Sequence, residues 1–188
     1  MKRVLSAVLL TLLAVSLPIF AEGRAQGEPE GEKGGDKRAK LDAMAAETLA
    51  ELFSENAGAK KLFDQAYGYA VFSNIKISLG LTGGGGNGVA VAGDGRTYMR
   101  MGTGGVNFGL GGQKYQVVFL FENSDVFRSF VDNGWQADAS ANAAAGKAGA
   151  NAGTSFRNGM AVYQITDKGL MLQADLSGTK YWKNKKLN

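Results

Sequence analysis

Hydrophobic and polar positions change their period several times along this chain. Residues 4–20 form a mainly apolar run, preceded by Lys2 and Arg3 and broken near its end by Pro18. A positive start, an apolar middle and a small residue at the end are the layout of a secretory signal peptide. Removal is expected after Ala21, close to the run, or as late as Ala25, which has the small Gly23 two residues before it. The run is short for a membrane span, which needs roughly 20 apolar residues. Residues 22–40 carry five acids and five bases among Gly and Pro, and no apolar side chain larger than Ala. Such a stretch cannot bury enough surface to order itself, so a flexible linker is expected.

At residue 41 the pattern turns helical. Leu41, Met44, Ala45, Leu49, Leu52 and Phe53 share one stripe, and Asp42, Glu47, Glu51 and Glu55 fall away from it. This predicts an amphipathic helix over 41–56. Asn56-Ala57-Gly58 ends it, and a short second helix is predicted through Lys60, Leu62 and Phe63 to Ala66. From Tyr67 the period falls to two. Ile75, Ile77, Leu79 and Leu81 alternate with Lys76, Ser78, Gly80 and Thr82. Val89 and Val91 lead into Gly93-Asp94-Gly95, a hairpin turn signal, with Tyr98 and Met99 beyond it. Residues 114–121 begin with alternation and become apolar on both faces, as a central strand does. Ser124 is expected to cap a short helix carrying Val126, Phe127, Phe130 and Val131, stopped at Asn133-Gly134. A strand over 135–141 leads into an Ala-rich segment, and a last hairpin is predicted from strands 160–166 and 170–176 around Asp167-Lys168-Gly169.

Composition removes most catalytic chemistry. There is no Cys and no His, which excludes disulfides, a Cys-linked lipid anchor, thiolate or His-based nucleophilic catalysis, and the usual zinc, copper and haem ligands. No cofactor or metal is expected. Gly83, Gly85 and Gly88 fit the spacing G-x-G-x-x-G, but a strand-like Val89-Ala90-Val91-Ala92 follows where a dinucleotide fold needs a helix N-terminus. Ser73 and Lys76 fit S-x-x-K, yet in a period-two segment they point to opposite sides of a sheet. Asp94 and Asp167 fall in turns, where Asp serves the backbone, and nothing pairs Asp94, Asp138, Asp167 or Asp175 for acid–base work.

Charge is distributed unevenly. Residues 41–66 carry net −3 (five acids, two lysines), and residues 176–188 carry +4 from Lys180, Lys183, Lys185 and Lys186 around Tyr181 and Trp182. Lysines with embedded aromatic rings suit an anionic membrane surface, where ammonium groups meet lipid phosphates and rings sit at headgroup level. The near-neutral body offers no basic face for nucleic acid.

Five segments in order, GYAVFSN (68–74), GLTGGGGNGVAV (80–91), GGVNFGLGGQKYQVVFLF (104–121), WQADASANAAAG (135–146) and VYQITDKGLMLQADLSGTK (162–180), resemble the SYLF, or Ysc84, family of lipid-binding domains over about residues 41–182. Ser73 stands where the family commonly has Pro. The resemblance implies an α+β fold, N-terminal amphipathic helices packed on a Gly-rich, mostly antiparallel twisted sheet or partial barrel. It also implies phospholipid headgroup binding without catalysis, with phosphoinositides as ligands and actin as a partner in eukaryotic members. The family's lipid contact lies on the N-terminal helix. Here that helix presents Asp42, Glu47, Glu51 and Glu55, which an anionic bilayer repels. The expected lipid-binding residues are therefore Lys180, Tyr181, Trp182, Lys183, Lys185 and Lys186, helped by Lys60, Lys61 and Lys76. The organisation expected is a signal peptide at 1–21, a linker at 22–40 and a SYLF-like domain at 41–188. The protein is expected in a periplasm or outside the cell, peripherally bound to anionic phospholipid, and not to meet actin. A structural or envelope-stress protein that binds a protein partner through an exposed sheet edge is the alternative, and a carboxylate-only hydrolase is a third reading.

Overall fold

The computed structural model describes residues 30–137, 155–166, 169–171 and 178–188. Its elements are α1 (Glu30–Glu55), α2 (Ala57–Phe63), β1 (Gly68–Ala92), β2 (Gly95–Phe121), α3 (Ser124–Asn133), β3 (Trp135–Gln136), β4 (Met160–Thr166), β5 (Gly169–Met171) and β6 (Thr179–Lys183). The expected signal peptide, linker residues 22–29, the Ala-rich segment, Asp167-Lys168 and strand residues 172–176 lie outside the described residues. The fold is α+β. All described strand pairs are antiparallel, and the sheet is not closed into a barrel.

β2 is the axis of the sheet. β1 pairs along one of its edges, and β4 and β6 share the other. Val117, Val118, Phe119, Leu120 and Phe121 are all buried, so the segment that reads as apolar on both faces does run through the centre. The β1–β2 turn is the two-residue Gly93-Asp94 loop, with Ala92 opposite Gly95 and Gly93 at φ 56. Only glycine adopts that left-handed conformation at no steric cost.

Several local boundaries differ from the sequence pattern. α1 begins at Glu30, so residues 30–40 are helical rather than flexible linker. Farther along, the Arg38 guanidinium donates to the Leu187 carbonyl at 3.3 Å. Tertiary docking of this kind orders a stretch whose composition alone would not. The cap of α3 is Asn123 rather than Ser124. Its side-chain oxygen accepts from the Val126 amide at 3.0 Å, while the Ser124 hydroxyl turns to Asp125. Asn56 caps α2 in the same way, accepting from Ala59 at 2.9 Å.

β1 doubles back on itself. Its pairing with β2 is broken between Leu79 and Leu81, and at that break the strand folds so that Gly84 lies beside Ile75, Gly86 beside Ser73 and Gly88 beside Val71. The approach is at backbone distance. A Cβ on Gly84 would lie 2.7 Å from the Ile75 carbonyl oxygen, and one on Gly86 would strike the Ser73 carbonyl. The alternate glycines of this run are therefore a packing surface, the use of glycine where one backbone meets another. The Ser78 and Thr82 hydroxyls bond across the fold at 2.9 Å.

Each face of the sheet carries its own core. Leu49, Leu52 and Leu62 of the N-terminal helices pack with Val71, Val89, Tyr98, Val118, Leu120 and Ile165. On the other face Phe130 and Val131 of α3 pack with Phe72, Met99, Phe119, Phe121 and Tyr181. The stripe read on α1 thus faces the sheet; Glu47 and Glu51 are exposed, whereas Asp42 bonds Tyr98 and Glu55 accepts from the Leu170 amide.

Candidate membrane-contact site

Alternation along residues 74–82 is the reverse of a soluble strand. Asn74 and Thr82 are buried, whereas Ile75, Ile77, Leu79 and Leu81 are exposed, Leu79 at 73% and Leu81 at 71%. The inner positions are polar because they have polar partners. Asn74 Nδ2 donates to Tyr115 Oη at 2.6 Å and lies 3.4 Å from Thr103 Oγ1, whose hydroxyl bonds Thr179 at 3.0 Å. Odd-numbered residues of β1 share the face that α1 covers at Val71 and Val89. At Ile75, Ile77, Leu79 and Leu81 the same face is bare among the described residues. Leu110, 84% exposed, is the cross-strand partner of Leu79, and exposed Lys114 is the partner of Ile75. Opposed residues in a ladder lie on one face, so Ile75, Ile77, Leu79, Leu110 and Lys114 form one outward stripe that runs to the fold of the hairpin, where exposed Leu81 follows.

The basic-aromatic tail is not a tail. Residues 179–183 are β6, held between β2 and β3. Tyr181 is 2% exposed and packs against Phe72 at 4.7 Å and Phe119 at 5.1 Å between ring centroids. It is a core residue, and the expectation that its ring meets lipid headgroups is corrected. Burial first, and then neighbouring Tyr115, pushes its phenol pKa well above the ordinary value. Trp182 points the other way, is 41% exposed, and covers Gly102, where a Cβ would lie 3.1 Å from the indole. Strand alternation separates these neighbours, which the sequence had grouped as one aromatic pair.

The lysines disperse. Lys183 pairs with Asp132 at 2.8 Å, and Lys60 pairs with Asp64 on α2 and stands over Phe53. Lys61 follows on α2 and Lys76 lies on β1. Lys185 and Lys186 are exposed in the turn after β6. Lys180 and Trp182 do join the outward face. Trp182 opposes Arg100, which opposes Asn87, and Lys180 opposes Gly102, which opposes Gly85. Asn87, Gly85 and Leu81 succeed one another on that face of β1. The structure therefore brings Lys180 and Trp182 into line with Leu81, and leaves Lys60 and Lys61 on a separate helix. The stripe itself was in the sequence as a run of alternating Ile and Leu, but periodicity alone does not say which face is covered.

No acid–base pair was nominated by the sequence, and Asp42, a carboxylate drawn into the body, serves packing. Tyr98 Oη donates to Asp42 Oδ2 at 3.1 Å, and Arg96 Nε lies 3.6 Å from that oxygen. Burial, and next this bond, raises the Tyr98 pKa. Among the described residues no three acidic side chains converge as a metal site would require, and no helix is long and apolar enough to cross a membrane.

Fold and face together define an α+β domain with an antiparallel sheet whose apolar outer stripe is bare, among the described residues, beside cations. Residues 102–188 match the family model Ysc84, described as Las17-binding protein actin regulator. Over those residues the chain is similar to the Ysc84/SYLF family, which is one of lipid-binding domains. The match extends past residue 182 to the last residue, and begins after the first two of the five segments that carried the resemblance. Beta cell expansion factor A of Aeromonas veronii is 46% identical over 153 residues, covering 80% of this chain and 58% of that protein. The chain thus spans less than two thirds of that relative's length.

Proposed function

We infer that this protein binds phospholipid membranes at their surface, without catalysis, through the outward face of its folded hairpin. The observation that carries this reading is the inverted alternation, with Leu79, Leu81 and Leu110 bare while Asn74 and Thr82 are buried. Contiguous exposed apolar surface edged by polar groups marks an interaction site, and polar-in, apolar-out alternation suits strands that face lipid. Lys114 stands four residues from Leu110 along β2, about 13 Å in an extended strand. An ammonium at that height can meet lipid phosphates while the leucines enter the acyl boundary, a depth of about 5–10 Å for surface-bound elements. Lys180 and Trp182 add a cation and an interfacial ring on the same face. Similarity to a lipid-binding family over residues 102–188 supports the reading. With a secretory leader expected at residues 1–21, the target is a membrane of the envelope or outside the cell rather than actin.

The test is co-sedimentation of the full chain with phosphatidylcholine vesicles with and without phosphatidylglycerol. Wild type is expected to bind the anionic vesicles more tightly. The triple variant Leu79→Ser, Leu81→Ser, Leu110→Ser is expected to bind both more weakly. Equal binding of the triple variant would remove the hairpin from the contact.

A further inference from the structure

A second site lies away from the hairpin fold. The first half of α1, the β1–β2 ladder and the turn after β6 enclose a cleft of about 510 Å³. Lys37, Lys40, Arg100 and Lys186 line it, together with the amides Asn87 and Asn184, and among the described residues no acidic side chain does. Four cations from three places in the chain converge here. Lys37 and Lys40 are three apart on one helix face. Arg100 is placed by its register with Asn87. Lys186 is placed by the turn whose amide bonds Asn184 Oδ1 at 3.1 Å, and Leu187 seals the base as a buried residue.

What sets the cleft apart is convergence rather than the want of a partner, since Lys61, Lys114 and Lys180 also have no carboxylate within 4.0 Å among the described residues. Lys60, Arg96 and Lys183 each have a carboxylate within 4.0 Å. Among the described residues none of the four cleft cations does. Even Arg38, beside Lys37 in sequence, spends its donor on the Leu187 carbonyl and so holds the cleft wall in place. Gathering like charges without a counter-ion costs free energy that a bound anion returns. An arginine fork and lysine point charges are the set that recognises phosphate, and the volume suits a small ligand.

We propose that this cleft binds a phosphate-bearing anion of two or more charges, an oligophosphate or a phosphomonoester. The site does not depend on the membrane reading. Arg100 lies about six residues, roughly 20 Å, from Leu81 along the ladder, so the cleft is apart from the bare leucines even though Arg100 opposes Trp182. The chemistry is shared by a soluble phosphate and by a lipid headgroup that ends in a phosphomonoester.

The experiment is isothermal titration of the full chain with inorganic tripolyphosphate, followed by co-sedimentation with phosphatidylcholine vesicles containing either phosphatidic acid or phosphatidylglycerol. Wild type is expected to bind tripolyphosphate, less tightly as salt rises. Lys40→Gln with Arg100→Gln is expected to weaken it at least about tenfold, the scale of losing charge-assisted contacts. Lys60→Gln, outside the cleft, and the Leu79, Leu81 and Leu110 serine variant should bind it as wild type does. If the cleft variant also loses its preference for phosphatidic acid over phosphatidylglycerol, the source is a headgroup. If vesicle binding is unchanged in that variant, the source is soluble. Unaltered tripolyphosphate binding in a cleft variant that melts like wild type, or no binding by wild type, would overturn the proposal.

Discussion

Replacing Leu79, Leu81 and Leu110 together by Ser separates a membrane face from a packed one. Burying a leucine side chain completely is worth about 2 kcal/mol. The three leucines are 73%, 71% and 84% exposed, so about three quarters of that gain is still unspent in the free protein. Full insertion of all three would then contribute about 4–5 kcal/mol. Surface-bound elements enter only the headgroup and acyl boundary, so about half of this, near 2 kcal/mol, is the working figure. It corresponds to about a thirtyfold loss of partitioning. The same exposure says that folding gains little from these side chains, and changes at such positions usually alter stability by less than about 0.5 kcal/mol. The assay is therefore double: vesicle co-sedimentation at fixed salt, and a thermal melt of the same preparation. The expected result is an unchanged melt and weakened binding, with the salt dependence of the remaining binding preserved because no charge has been removed. A melting temperature lowered by many degrees would show the stripe to be packed. Binding unchanged within twofold would show that the membrane meets another face.

Other consequences test the packing. Leu52→Asp puts a carboxylate at a position with no exposure in the α1 core and is expected to cost several kcal/mol, a large share of a domain's stability, read as loss of the cooperative melt; a folded variant would move this helix stripe off the sheet. Gly86→Ala drives a methyl group into the Ser73 carbonyl and should lower stability by about 1–3 kcal/mol in chemical denaturation, whereas Gly83→Ala, where nothing lies within 4 Å, should cost less. Burial raises the Tyr163 pKa to about 12, so the folded state holds this proton longer than the unfolded chain, whose value is 10.0. Its contribution to stability is complete below pH 10 and lost as pH climbs from there through about 12. Alkaline denaturation monitored by tyrosinate absorbance should show that limb, and Tyr163→Phe should flatten it.

Much of the architecture is local and could be read along the chain. The apolar stripe from Leu41 to Phe53 needs only helical spacing, the β1–β2 turn needs only Gly93-Asp94-Gly95, and α3 needs only its apolar stripe and Gly134. In each case the residues that specify the element lie within a few positions of one another. The site residues were harder. Tyr181 and Trp182 are neighbours, and strand alternation sends one into the aromatic core and the other outward. Lys180 joins Leu81 on one face only because β6 pairs with β2.

What the linear pattern determined was period: two faces, alternating, over residues 75–82. What the tertiary structure decided was sign. Period two is symmetric, so it cannot say whether Ile75, Ile77, Leu79 and Leu81 or Asn74, Ser78 and Thr82 turn inward. That choice depends on Tyr115, Thr103 and Thr179 supplying hydrogen bonds inside and on α1 ending its cover at Val71. The cationic cleft is the extreme case. Lys37 and Lys40 sit in a stretch whose composition reads as linker, and Arg100 and Lys186 sit on other elements. Nothing local marks them as partners, because their convergence is a property of strand register and helix docking, and those are set by contacts between residues far apart in the chain.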